Sequence, residues 1–176
     1  MHEGWHGDDY LILFDESEVA AASDRYEVLR LLPGFKVLGL RSWDDFIVRN
    51  ASGQIYSVPT LPLDARYLTP LSLPDGGTTL NPDTHFSGKI KWYVKPIVFG
   101  GDAGVGENLV WVSHEEHAQL VKFWNDKYRT LKSSPSRAGT AWAQIPKFPT
   151  IRLIRLSHPF GKGLRCILPR NQKVTQ

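Results

Sequence analysis

The sequence predicts an α+β fold, with two main helices packed against a mostly antiparallel sheet. Two observations support this class. Short apolar or alternating segments, bounded by glycine, proline and asparagine, are typical of strands joined by tight turns. Two longer segments repeat apolar residues every three or four positions, as amphipathic helices do. The 176 residues include 41% hydrophobic and 11% aromatic side chains, so the chain is able to bury a substantial core.

Seven segments have the pattern of strands. A short apolar run indicates a buried strand, and alternation indicates a strand with one face in solvent. The turn sequence Asn50-Ala51-Ser52-Gly53 separates two of these segments and predicts a β-hairpin. The predicted strands cover residues 10–14, 35–40, 46–49, 54–58, 90–95, 97–99 and 109–112.

Two helices are predicted, each from a capping box at its start. Asp15 with Glu18 predicts a helix over residues 15–31, which must end before Pro33 because proline disfavours helical geometry in the residue preceding it. Ser113 with Glu116 predicts a second helix over residues 114–131. The residues expected to pack are Val19, Ala22, Tyr26 and Leu29 in the first helix, and His117, Leu120, Val121, Trp124, Tyr128 and Leu131 in the second.

The other stretches are predicted to contain little regular structure. Residues 59–82 hold five prolines and an Asp-Gly-Gly sequence, so we expect an extended connector there. His2 and His6 lie near Asp8 and Asp9, but we expect a flexible terminus rather than a metal site.

Charge divides the chain into two parts. Residues 127–176 contain 11 Lys and Arg and no Asp or Glu, whereas residues 1–126 contain 10 basic and 18 acidic side chains, a formal charge of −8. We predict a domain over residues 1–132, in which 82–132 is a lineage-specific addition. A basic, proline-containing tail over 133–176 is predicted to be partly disordered or docked, with a candidate edge strand at 151–156.

Several kinds of site are disfavoured. The single cysteine, Cys166, excludes an internal disulfide and has no catalytic context, and no apolar run is long enough for a transmembrane helix. The first residues lack the apolar core of a secretory signal. Residues 100–106 lack the Gly-Lys-Ser/Thr of a phosphate loop, and His114 lies three rather than four residues from His117. We therefore expect a cytoplasmic protein that is not an enzyme and needs no metal or cofactor.

Trp43-Asp44-Asp45 lies between two predicted strands and is the strongest candidate for binding a basic partner. An aromatic ring supplies contact area and cation–π attraction, while carboxylates attract lysine and arginine. The alternative is a solvated turn with Trp43 facing the core. The predicted partner-binding residues are Trp43, Asp44, Asp45, Tyr56 and Asp64, with Asp102 and Glu107 as a second acidic patch.

The basic tail offers a different interpretation. Its Lys and Arg residues alternate with Trp142, Phe148 and Phe160, and such a pattern suits contact with phosphates and bases. A nucleic-acid-associated or regulatory adaptor acting through this tail is therefore the alternative function.

Three motifs stand out in the first half of the chain: GDDYLILF at 7–14, LPGFKVLG at 32–39 and GQIYSVP at 53–59. They are similar to the first strand, the "pro-gly" strand and the "val-tyr-x-val-pro" strand of the SUKH superfamily, which includes a yeast cell-wall-synthesis regulator and many bacterial proteins. The resemblance covers roughly residues 4–70.

The resemblance implies a function in toxin neutralisation. Bacterial members of the superfamily mostly look like immunity proteins, which bind and neutralise toxins. We therefore expect a stoichiometric complex between this chain and a cognate protein toxin, in which a basic nuclease meets the acidic body of the chain. Nucleic acid and membranes are not expected as partners, and the chain is expected to be a monomer or a weak homodimer.

Overall fold

The strands form one six-stranded sheet and one two-stranded sheet, both antiparallel, in a computed structural model that describes residues 1–73, 79–104 and 106–133. The large sheet has the order β1-β2-β3-β4-β5-β6, so each strand pairs with its neighbour in sequence. The α+β class and the mostly antiparallel sheet are confirmed. The strands are β1 (His2–His6), β2 (Asp9–Leu13), β3 (Phe35–Arg41), β4 (Asp45–Asn50), β5 (Ile55–Pro59), β6 (Thr69–Pro70), β7 (Ile90–Tyr93) and β8 (Leu109–Val112). The helices are α1 (Glu16–Arg25), α2 (Val28–Leu31) and α3 (His114–Ser133).

The first residues form a strand, and the prediction of a flexible terminus was wrong. β1 pairs with β2 over its whole length, and the backbone of Trp5 also exchanges two hydrogen bonds with Asn81. Gly4 permits this approach, because a Cβ atom at Gly4 would lie 2.6 Å from the carbonyl oxygen of Asn81. β1 is therefore held on both of its edges.

The predicted helix over residues 15–31 is interrupted. Its capping box at Asp15 and Glu18 is present, but Glu27 adopts a left-handed conformation with φ of 52° between α1 and α2. The interruption rotates the second segment, so Leu29 is 52% exposed instead of packing with Tyr26. A continuous helical periodicity cannot anticipate this rotation.

The second predicted helix is confirmed as α3, which extends to Ser133. Ser113 Oγ accepts from the backbone N–H of Glu116, and the Glu116 carboxylate accepts from the Ser113 backbone. This reciprocal pair satisfies N–H groups that have no partner within the helix. The predicted face is buried at His117, Leu120, Val121 and Trp124, while Tyr128 and Leu131 are partly buried.

Two other predictions need correction. Residues 97–99 form a 3-10 helix rather than a strand, because the turn that follows Pro96 closes on itself through Phe99 and Gly100. The connector after β5 contains a short 3-10 helix (Ala65–Tyr67) and the two-residue β6. It is otherwise irregular in its described part, as predicted.

Residues 82–132 share the hydrophobic core of the preceding residues. Trp92 of β7 and Trp124 of α3 belong to the same buried cluster as Ile12 and Phe46 of the large sheet. Tyr26 packs edge-on against Phe46, with 4.7 Å between ring centroids. The later segment therefore contributes to one core, whether or not it is a lineage-specific addition.

The predicted basic tail lies outside the described residues, apart from Ser133 at the end of α3. The candidate strand at 151–156 and Cys166 lie outside them as well. None of the helices in the described ranges has both the length and the apolar composition needed to cross a membrane.

Asn125 fixes the connector after β5 against α3. This fully buried side chain accepts from the backbone N–H of Leu63 at 2.7 Å and donates to the carbonyl oxygens of Thr60 and Val121, both at 2.9 Å. A buried peptide group without a partner is costly, so these bonds determine where the connector lies.

We expect Asn125→Ala to destabilise the protein by about 3 kcal/mol, because it leaves a buried N–H and a buried C=O unpaired. Urea unfolding followed by circular dichroism measures the change. Asn81→Ala is the matched control, since its side chain is exposed and its bonds to Trp5 are made by the backbone. Equal effects of the two substitutions would show that Asn125 does not have this role.

His117 is a fully buried histidine on the packed face of α3. Its Nδ1 atom lies 2.9 Å from the hydroxyl of Tyr26, and its ring packs edge-on against Trp92. Burial lowers the pKa of His117 to about 3, and it also lowers the pKa of the half-buried His114. The core therefore contains a neutral imidazole at physiological pH.

Stability should fall as the pH drops below 6.5. The unfolded chain binds a proton at His117 near the ordinary pKa of 6.5, whereas the folded chain does not until about pH 3. Between these values His117 reduces the free energy of unfolding by about 1 kcal/mol per pH unit. Urea titrations between pH 7 and pH 5 measure this slope. His117→Gln should make the dependence of the free energy of unfolding on pH shallower. His6→Gln, a substitution at an exposed histidine, is the control and should leave that slope unchanged. The same slope in both variants would contradict the assignment of the pH dependence to His117.

Candidate partner-binding site

The turn between β3 and β4 positions the candidate site. Ser42 and Trp43 both have positive φ, 48° and 66°, a backbone conformation that residues other than glycine rarely adopt. Two hydrogen bonds hold the turn: the backbone N–H of Ser42 donates to the carbonyl of Tyr10, and its hydroxyl donates to Asp9. The strained turn directs the indole of Trp43 inward and leaves Asp44 at the surface.

Trp43 is buried, which is the alternative that the sequence left open. Its ring is 9% exposed and stacks on Tyr10, with 5.1 Å between centroids and an interplanar angle of 14°. The rings of Trp5, Phe86 and Trp111 pack against it at centroid distances of 6.1, 5.2 and 5.4 Å. We refer to these five residues as the aromatic cluster. Trp43 therefore offers little direct contact area to a partner.

A lysine of the chain itself occupies the cation-binding position beside Trp43. Lys91 Nζ lies 2.6 Å from the Asp44 carboxylate, 5.7 Å from the centroid of Trp43 and 5.6 Å from that of Tyr93. Lys91 and Tyr93 lie two residues apart on β7, so they share a face of that strand. Carboxylate and rings together form the kind of environment that holds an ammonium group.

Asp45 does not belong to this arrangement. It faces Ser57 of β5, whose hydroxyl donates to its carboxylate at 2.9 Å. Successive strand residues point to opposite faces, and Phe46 points into the core, so Asp45 lies on the opposite face of the sheet. Burial raises the pKa of the Asp45 carboxyl. The two adjacent acids therefore have different surroundings and are not one acidic site.

The contacts of Tyr56 are mainly with other residues of the chain. It is half-buried, packs edge-on against Phe35 and donates its hydroxyl to Gln54. It lies opposite Val48 in the β4–β5 pairing, on the core-facing side.

Asp64 lies at a separate place, beside the C-terminal turns of α3. It caps the 3-10 helix and pairs with Arg66 at 2.9 Å and with Lys132 at 3.6 Å. The hydrogen bond from Arg66 lowers the pKa of the Asp64 carboxyl. An open cleft of about 440 Å³ is lined by Leu63, Asp64, Tyr128, Arg129, Lys132 and Ser133. Basic groups outnumber Asp64 here, so this cleft is not an acidic surface.

The second predicted patch lies in the connection between β7 and β8. Asn108 holds the loop closed by bonding both backbone groups of Lys95 and the carbonyl of Asp102. Gly101 is required for this closure, since a Cβ atom there would lie 1.7 Å from the carbonyl oxygen of Lys95. Glu107 is exposed, and within the described ranges neither Asp102 nor Glu107 has a salt-bridge partner.

Lys91 and Tyr93 were not among the predicted partner-binding residues. Their spacing of two in a predicted strand shows that they share a face, but not that this face meets Trp43. That contact depends on the placement of the two-stranded sheet beside the β3–β4 turn. The signal available in the sequence was an isolated lysine between two apolar or aromatic neighbours, Ile90 and Trp92.

In the part of the chain that the structure describes, no three His, Cys, Asp or Glu residues are grouped so that they could hold a metal ion. No family model, curated protein or solved structure matches the chain in sequence or structure comparisons. The candidate site therefore has to be judged on its own geometry.

The separation of Asp44 from Asp45 predicts different effects of the same charge reversal. Asp45→Lys places an ammonium group in a half-buried position near Arg41, so we expect a loss of about 2 kcal/mol. Asp44→Lys changes an exposed side chain, and we expect a loss below about 1 kcal/mol. Denaturant unfolding measures both values. Similar losses for the two variants would contradict the two environments.

Proposed function

We propose that this chain is an immunity protein, which neutralises a basic protein toxin by forming a stoichiometric complex. The observation that carries the proposal is the arrangement of Lys91 between Asp44, Trp43 and Tyr93. This arrangement has the chemistry required to hold a lysine or arginine side chain at the protein surface. The resemblance of residues 4–70 to the SUKH superfamily supports the same function.

The charge of the acidic part supports a basic partner. Residues 1–126 carry a formal charge of −8, and a field of this sign accelerates the approach of a positively charged protein. Asp44 is 55% exposed, and Asp102 and Glu107 are exposed in the connection between β7 and β8. We assign these three acids, rather than Asp45 or Asp64, to the proposed contact surface.

Ion pairs within the chain do not prevent this contact. Exposed pairs contribute only about 0–1 kcal/mol each, because solvent screens them and the side chains lose freedom. Lysines and arginines of a partner are therefore able to replace those of the chain as the cations that pair with its carboxylates, at little cost in free energy. Salt screens the attraction between the acidic part of the chain and a basic partner, so the contact is expected to weaken as salt is added.

The proposal predicts a complex with a toxin encoded beside the gene for this chain. The full-length protein should bind the basic product of the adjacent reading frame in a 1:1 ratio by calorimetry at low salt, and co-expression should remove the toxicity of that product. No complex under these conditions would contradict the proposed function.

Asp44→Lys should weaken this complex at least about tenfold, because it removes an attractive charge and adds a repulsive one. Asp24→Lys is the control, since it makes the same change in net charge at an exposed acid of α1. An equal loss of affinity in both variants would mean that only net charge matters and that Asp44 is not part of the contact surface.

A further inference from the structure

The position of Lys91 differs from that of an ordinary surface lysine. Its side chain is 21% exposed, whereas the carboxylate that it meets is 55% exposed. Among the described residues, the other lysines that pair with carboxylates are Lys122 and Lys132, which are 32% and 48% exposed. The ammonium of Lys91 therefore lies close to the rings of Trp43 and Tyr93, while the Asp44 carboxylate on its other side is exposed to solvent.

The site around this ammonium is built by contacts that do not involve Lys91. The ring of Trp43 is fixed by stacking on Tyr10 and by edge-on contacts with Phe86 and Trp111. The strained turn gives it this orientation, and the carbonyl of Asp44 accepts from the backbone N–H of Thr60. Removal of the Lys91 side chain therefore leaves the ring of Trp43 and the backbone of Asp44 in place.

We infer that Lys91 is an internal occupant of a preformed ammonium site, and that a lysine or arginine of the basic partner replaces it on binding. The identity of the replacing group follows from the site: one carboxylate and two ring faces select a cationic side chain. In this role Lys91 acts as an autoinhibitory contact. The part of this inference that concerns the partner rests on the proposed function, whereas the ammonium site itself does not.

Exchange is feasible because each contact of Lys91 is individually weak. A partly exposed ion pair and a surface cation–π contact each shift an equilibrium by less than about tenfold. A partner that forms additional contacts nearby, for example with Asp102 and Glu107, is therefore able to displace Lys91. Without such contacts Lys91 remains bound, because its effective concentration at the site is high.

The ammonium site is tested without any toxin. Lys91→Ala shortens the side chain and leaves room for n-butylammonium, which has the shape and charge of the lysine side chain. Titration with n-butylammonium chloride should shift the indole N–H signal of Trp43 in a saturable manner by NMR. The parent protein should not respond, and neither should Lys91→Ala when titrated with uncharged n-butanol.

Three variants serve as controls. Lys91→Ala combined with Asp44→Asn should lose the response to n-butylammonium, since the carboxylate is absent. Lys91→Met fills the same volume without a charge and should not take up the probe. Lys36→Ala, at an exposed lysine on β3, controls for loss of one positive charge. A folded Lys91→Ala protein without a saturable Trp43 shift would overturn the inference.

The replacement of Lys91 is tested with the adjacent-gene toxin. Lys91→Met retains the packing of the side chain but not its attraction to Asp44, so its affinity for the toxin should rise about threefold to tenfold. A fall in affinity would overturn the inference, because Lys91 would then itself be a contact. If n-butylammonium binds Lys91→Ala but no toxin complex forms, the ammonium site stands and the proposed function fails.

Discussion

The packing of Trp43 is the contact on which the arrangement of the two sheets depends. This residue belongs to the β3–β4 turn of the large sheet, yet its ring contacts Trp111 of β8 and the ammonium of Lys91 on β7. Without a large ring at this position, the small sheet would lose an aromatic contact that joins it to the large one. The cost of two consecutive left-handed residues, Ser42 and Trp43, is offset by the burial of the indole.

The same contact explains how one residue, Trp43, serves both the packing of the core and the proposed recognition of a cation. An exposed tryptophan beside an acid would attract a basic partner but would also be free to move. Here the indole is immobilised by the aromatic cluster, and its remaining face is turned toward an ammonium group. Rigid rings reduce the entropy lost on binding, so an immobilised tryptophan is a better platform for a cation than a freely moving one.

The sequence predicted the elements that depend on local signals. α3 was predicted from a capping box and a continuous apolar face, and the central strands were predicted from short apolar runs between turns. β1 was missed because Gly4 and two histidines conceal any alternation, and its pairing depends on β2 and Asn81. The break at Glu27 was missed because the apolar spacing continues across it. Both errors arise where tertiary contacts override local preference.

The candidate site was predictable in composition but not in geometry. The ring of Trp43 and the carboxylate of Asp44 were identified from their chemistry alone. The face of the large sheet on which Asp44 and Asp45 each lie depends on strand register. A shift of one residue at the start of β4 would exchange Asp44 and Asp45 between the two faces. Lys91 was missed for a related reason, since it is 47 residues away from Asp44 and the contact is made only by folding.

The net negative charge of residues 1–126 does not produce a surface of unpaired carboxylates in the folded protein. Asp9 pairs with Arg41, Glu16 with Arg49 and Asp126 with Arg30, so many carboxylates are already neutralised by the chain. What distinguishes one acid from another is its surroundings rather than its charge. Asp45 accepts a hydrogen bond from Ser57 on a partly buried face, and burial raises the pKa of its carboxyl. Asp44 combines an exposed carboxylate with rigid rings, and within the described residues the cation that it holds is Lys91, the group that the proposed exchange would displace.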